Sequence, residues 1–232
     1  MDAKFGADAN FKGSRFSMDA NFGRVSFSGD ARFIYSEFRN NSDFSNSKFD
    51  KFANFRGSRF QVPSILSLKE IDFEQIYLDW ISIKNLDRHF DSKVYLSLIE
   101  SYKIRGFFED ADNCYYQFRN ESRQSLKDLY KICDWIIMAL YGYGVKPLRP
   151  LLGFVLLLSF FTILYLLVGV AGNSTWDAFN TSLIVALSGT KLIENPNHSP
   201  TVILYWAFTI EKLLGSLFFA LFLISISRTI IR

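Results

Sequence analysis

The chain has few of the residues that most often carry covalent or metal chemistry. Its 232 residues include two cysteines, Cys114 and Cys133, and two histidines, His89 and His198. Two cysteines are too few for a disulfide framework, and both are read as free thiols on the cytosolic side. The histidines lie far apart in sequence, which argues against a histidine-based metal site or a catalytic triad. No glycine-rich phosphate loop is present. No catalytic residue, metal site or cofactor is therefore expected, and an enzyme reading has nothing to stand on. Charge is nearly balanced, with 26 Lys and Arg against 23 Asp and Glu. Met1 to Asn10 is polar and lacks the apolar core of a secretory signal, so the first spanning helix is expected to serve as the membrane signal. The length suits two or three small units rather than one large core.

Phenylalanine is abundant, with 25 copies, and much of it is periodic. Within 1–61, Phe recurs at 5, 11, 16, 22, 27, 33, 38, 44, 49, 55 and 60, at spacings of six and five. The unit is eleven residues: Ala9-Asn10-Phe11 with Phe16, Ala20-Asn21-Phe22 with Phe27, Ala31-Arg32-Phe33 with Phe38, and so on to Ala53-Asn54-Phe55 with Phe60. Fixed self-similarity signals a solenoid. A large apolar residue about every fifth position fits neither a helix nor an alternating strand. It fits a square coil whose sides each send one Phe inward, with Ala or Ser two residues earlier at a tight corner.

These motifs resemble pentapeptide repeats, in the variety with one extra residue in every second repeat. The resemblance implies a right-handed β-helix with two eleven-residue units per coil, hence somewhat under three coils in 1–61. No cap is evident near Ala3-Lys4-Phe5, and an open coil end invites edge pairing, so self-association or a protein partner is expected at the repeat domain. Some pentapeptide proteins mimic DNA with an acidic surface. Here ten Lys and Arg outnumber seven acids in 1–61, which argues against mimicry. The interspersed signs also argue against nucleic acid as a partner.

Residues 62–147 read as a helical linker. Val62-Pro63 ends the repeat, and Ile76, Trp80 and Ile83 fall on one helical face. Asp91 or Ser92 caps a helix to Arg105, with Gly106 ending it, and a second helix runs from about Glu109 to Arg123. Tyr95, Leu98, Tyr102, Ala111, Tyr115 and Phe118 look like one tetratricopeptide-type hairpin, read as a packing unit or as a partner-binding groove. Leu126 to Leu140 reads as an interfacial helix at the inner leaflet, adjacent enough to the first span to pass cytosolic movement to it. Tyr141-Gly142-Tyr143-Gly144 contains the letters of a potassium filter. With no short helix before it, it reads as an interfacial turn.

The long apolar runs come last. Leu151 to Ala171 carries no charge and Val202 to Ile226 carries only Glu211 and Lys212. Each is long enough to cross a ~30 Å hydrocarbon core. Between them, Trp176 to Leu187 has a helical pattern but is too short to span, and Ser188-Gly189-Thr190-Lys191 breaks the pattern. Span, short helix, break, span predicts a re-entrant pore loop, with Ser174 or Thr175 capping the short helix, Asp177 in its first turn, and backbone carbonyls of the break facing an ion. The other reading is a plain helical hairpin with 172–201 as an external loop.

Phe179-Asn180-Thr181-Ser182-Leu183, Ser188-Gly189-Thr190, Glu211-Lys212-Leu213-Leu214-Gly215 and Ala220-Leu221-Phe222-Leu223 with Ser227-Arg228 resemble the two-transmembrane, potassium-channel-type ion channel domain found behind pentapeptide repeats in prokaryotes. The resemblance covers 145–232. It implies a homotetramer in the cell membrane, surrounded by lipid and passing inorganic ions. Ser188, Gly189, Thr190 and Lys191 then form the filter region, Gly189 matching the first filter glycine, and Gly215 the gating hinge. The family signature is Thr-Val-Gly-Tyr-Gly-Asp, whereas this chain has Leu187-Ser188-Gly189-Thr190-Lys191-Leu192. Lysine stands at the second glycine, where a left-handed backbone is costly. A non-selective pore, a weakly anion-preferring pore and a non-conducting one all remain open. The basic flanks Lys127, Lys131, Lys146, Arg149, Arg228 and Arg232 place both termini in the cytoplasm.

Glu211 and Lys212 are ionisable residues inside a span, functional candidates by default. Adjacent helical residues point about 100° apart, so the two cannot share one face. Glu211 matches a glutamate common in the pentapeptide-linked channels and is expected to support the pore loop from behind. An intersubunit Glu211–Lys212 pair is the other reading. The organisation expected is therefore a multi-domain membrane protein: 1–61 β-helix, 62–147 helical linker, and 148–232 all-α two-transmembrane pore domain with spans 151–171 and 202–226 and pore helix 176–187. Its expected function is passive ion conduction, with a membrane-anchored, non-conducting scaffold as the alternative.

Overall fold

A computed structural model of the chain describes residues 3–169, 174–188 and 202–230. It divides into two compact units, Met1–Ser122 and Arg123–Arg232.

The first unit begins as a β-solenoid. Short parallel strands pair at 22-residue intervals: Lys4 with Ser26 and Ser26 with Lys48, Ala9 with Ala31 and Ala31 with Ala53, Arg15 with Glu37 and Glu37 with Arg59. One coil is therefore two eleven-residue units. Phe27, Phe33, Phe38, Phe44, Phe49 and Phe55 are fully buried. Rings one coil apart stack at 4.8 to 5.1 Å, as in Phe11–Phe33–Phe55, Phe16–Phe38–Phe60 and Phe5–Phe27–Phe49. That interval is close to the ~4.8 Å separation of paired strands, so backbone pairing itself sets the rings at stacking distance. Serines two residues before alternate rings point inward and bond carbonyls: Ser36 Oγ donates to Phe11 O (2.7 Å) and Ser58 Oγ to Phe33 O (2.5 Å). The corners carry a second period of eleven. Residues 13, 24, 35, 46 and 57 all have positive φ, yet only Gly13 and Gly57 are glycine; Arg24, Tyr35 and Asn46 take the same conformation.

The solenoid runs further than the Phe period. Ser42 pairs with Leu66, Ile65 with Asp87 and Lys48 with Asp72, so coils continue to Phe90 and number about 4. This corrects the count of under three, and the helical reading of 65–90, where only Trp80–Ile83 (α1) is helical. Leu66, Leu68, Ile71, Ile76 and Leu78 fill the interior in place of Phe and are buried. Two hairpin helices follow, α2 (Ser92–Ile104) and α3 (Phe108–Ser122). Asp91 caps α2 by accepting from Val94 N at 3.0 Å, and Gly106 ends the turn beyond it at φ +78°. Val94, Leu98, Tyr102, Ala111 and Cys114 join the same core as the last coil, and Tyr102 donates to Leu78 O at 2.6 Å. The hairpin thus covers the end of the solenoid.

The second unit is helical: α4 (Asp128–Tyr141), α5 (Leu148–Val168), α6 (Thr175–Ser188) and α7 (Val202–Ile230). Helices α5 and α7 are long and apolar enough to cross a membrane, over Leu148–Val168 and Leu204–Arg228. Helix α6, of 14 residues, is about 21 Å long and is not. The three pack on one another. Gly169 ends α5 in the left-handed region, and Pro150 sits in its first turn, where a missing N–H costs nothing.

Candidate functional site

The site is built where α5, α6 and α7 meet. A run of apolar residues gives a carboxylate no solvent, so Glu211, with no exposed surface, must be satisfied by neighbours. Two hydroxyls do this. Tyr165 of α5, itself fully buried, donates its hydroxyl to Glu211 Oε2. Ser182 of α6 donates to Oε1 at 2.5 Å, with the Leu158 carbonyl 3.3 Å away as a weaker acceptor. One side chain of α7 therefore ties both other helices. Sequence did not single out Tyr165 and Ser182, because Ser159, Thr162 and Thr181 are hydroxyls of the same helices that bond backbone carbonyls instead.

Lys212 stands apart from this cluster. It is exposed, and among the described residues no carboxylate pairs with it. Glu211 is committed to Tyr165 and Ser182 within its own chain.

One turn further along α7, Gly215 is buried against Ala186 of α6. A Cβ at Gly215 would stand 2.7 Å from the Ala186 carbonyl oxygen and 2.8 Å from its Cβ. The helix is continuous through Gly215. A second close approach joins α5 to α7, where Gly153 faces the Phe218 ring. Ser188 is the last residue of α6, exposed, with its hydroxyl returned to Ile184 O at 2.7 Å. Gly189, Thr190 and Lys191 lie outside the described residues. At the other end of α6, Ser174 Oγ accepts from Asp177 N at 3.4 Å, a long capping bond, with Asp177 in the first turn.

A separate polar joint was not foreseen. Gly142, Tyr143 and Gly144 are consecutive left-handed residues with φ of 57°, 56° and 79°. The conformation is unfavourable for tyrosine by about 1–2 kcal/mol and is held by its surroundings. It turns the Tyr143 ring inward, where its hydroxyl donates to the buried Asp134 of α4. It also aims carbonyls at α7: Ser225 Oγ donates to Gly144 O at 3.2 Å and Arg228 Nη1 to Tyr143 O at 3.4 Å. Arg149 of α5 donates to Met138 O of α4. In α4 Asp134 is inside, whereas Asp128, Leu129, Ile132, Trp135, Ile136 and Ile137 are exposed.

Compared with protein-family models, with curated proteins and with solved structures, the chain matches none.

Proposed function

We propose that the chain is one subunit of a tetrameric ion channel of the potassium-channel type in the cell membrane. It would conduct ions passively, with both termini cytoplasmic and a right-handed pentapeptide-repeat coil outside the membrane. The observation that carries this reading is the Glu211 cluster. A short helix lies between two helices of spanning length and is bonded to both through one buried carboxylate. A chain that breaks out of helix at membrane depth is tolerated only where it is buried in protein or lines a watery cavity. In this reading Glu211 supports the pore loop, Ser188 to Lys191 form the constriction, and its degenerate sequence departs from potassium selectivity. Bending of α7 at Gly215 would part it from Ala186, so gating and the position of the constriction are linked. Helix α4, with its apolar face outward and Asp134 inward, would lie at the inner leaflet and connects through the Tyr143 turn to the last turns of α7.

A second reading has one feature in its favour. Lys191 at the second filter glycine suits a membrane-anchored scaffold that keeps the fold without transport. Flux through purified protein in liposomes, with potassium, sodium and chloride gradients and with Lys191→Gly alongside, separates the two. Flux in the native protein establishes conduction. Cation flux only in the variant means that the pore exists and the lysine blocks it. No flux in either, from assembled protein, supports the scaffold.

A further inference from the structure

The arrangement of α7 leaves one charge unexplained. Taken at about 100° per residue, the helix has three faces. Glu211, Gly215 and Ser225 fall within about 80° and are buried against the rest of the unit. Trp206, Ile210, Leu213, Leu217 and Ile224 fall within about 60° and form an exposed apolar face, with the half-buried Arg228 on the same line at its C-terminal end. Thr209, Lys212, Ser216, Ala220 and Ser227 fall within about 80° on a third face, centred about 140° from the buried one. Tyr205 and Leu223 share it, and apart from the half-buried Thr209 all are exposed. The hydroxyls and the one ammonium on the exposed part of the helix are thus collected on a single face.

Lys212 lies eight residues, about 12 Å, inside the apolar window that starts at Leu204. That is deeper than its four-carbon stem reaches. An ionised lysine facing hydrocarbon there is among the costliest side chains to insert. Pairing with the adjacent acid would remove the cost, but Glu211 has no exposed surface and both its oxygens are taken. Neither the same copy nor a neighbouring one can reach it. The lysine therefore needs water, and among the described residues of α7 the exposed hydroxyls that could keep it company share its own face.

We propose that this face lines a water-filled passage shared with further copies of the chain, and that Lys212 is the residue that selects permeant ions by charge. The permeant class is small inorganic anions. This rests on the channel reading above and deepens it. A ring of unpaired ammonium groups concentrates anions and repels cations in a low-dielectric channel. The apolar face at Ile210 and Leu217 is left for lipid or for the flank of a neighbouring copy.

The test is the reversal potential of the full-length protein in planar bilayers under a potassium chloride gradient. The native chain is expected to prefer chloride. Lys212→Arg should keep that preference, Lys212→Met should lower the chloride-to-potassium permeability ratio by about tenfold, and Lys212→Glu should invert the sign of the reversal potential. Lys212→Cys in a Cys133→Ser background should react in the assembled protein with a small membrane-impermeant thiol reagent, as a water-facing thiol does, and a thiol that stays unreactive would overturn the assignment. A native channel that passes cations, or a permeability ratio unmoved by Lys212→Met and Lys212→Glu, would overturn the assignment while leaving the channel reading intact. Absence of conductance in every variant, from folded and assembled protein, would overturn both.

Discussion

Replacing Gly215 with alanine separates two roles that this residue can have. The new Cβ would sit 2.7 Å from the Ala186 carbonyl oxygen, 2.8 Å from its Cβ and 2.9 Å from its Cα. Ordinary carbon contacts are about 3.5–4.0 Å, so α6 and α7 must separate by up to about 1 Å, against backbone rather than a side-chain tip. Overpacking of this kind costs about 1–3 kcal/mol. Alanine returns about 0.8–1.0 kcal/mol of helix propensity, so the net effect is destabilisation by up to about 2 kcal/mol. Ala186→Gly added to Gly215→Ala removes only the Cβ–Cβ clash and should restore part of the loss. Equilibrium unfolding in detergent measures both. A glycine that served only as a bend would behave oppositely: the alanine variant would gain about 1 kcal/mol and open more slowly. That outcome would refute the close contact between Gly215 and Ala186.

Three other outcomes are expected. Tyr165→Phe leaves Glu211 Oε2 without a donor and should cost about 1–3 kcal/mol; in a cycle with Glu211→Gln the two should couple by about 1 kcal/mol, and strict additivity would show that they do not touch. Phe33→Ala removes a fully buried ring stacked at 4.8 Å on both Phe11 and Phe55, a loss of about 3–5 kcal/mol; hydrogen-exchange protection across 26–60 should fall about a hundredfold or more, and unchanged protection would contradict a cooperative ring stack. Burial pushes the Cys114 thiol up to about 12, so at pH 8 its thiolate should be roughly a thousandfold scarcer than that of an ordinary thiol. Iodoacetamide should then label the exposed Cys133 in the native protein and Cys114 only after unfolding, whereas equal native rates would show that Cys114 is not enclosed.

Much of the solenoid was legible because one residue type recurs at one spacing, and the 22-residue coil follows from the eleven-residue unit. Legibility ended at Phe60. Ser42 to Leu66 and Lys48 to Asp72 each span 24 residues rather than 22, and leucine and isoleucine replace Phe inside. With both the interval and the residue changed, Ile76, Trp80 and Ile83 read as a helical face. The left-handed corners at 24, 35 and 46 were hidden for a similar reason, since Arg24, Tyr35 and Asn46 are not glycine. In the helical unit, sequence spacing alone separates Glu211 from Lys212. It does not name Tyr165, which is 46 residues from Glu211 and meets it only through packing. Asp134 was not singled out in the sequence; its burial depends on a left-handed turn that no residue type announces.

The central claim is that α5, α6 and α7 are one part of a structure completed by further copies. Only 11% of the apolar window of α7 is buried within the chain, and its polar face carries a lysine that no carboxylate pairs with among the described residues. The most direct measurement is the copy number of the full-length protein by native mass spectrometry from lipid nanodiscs. The account predicts four chains per particle. A monodisperse single chain, folded and stable in lipid, would leave Lys212 facing hydrocarbon and would contradict it.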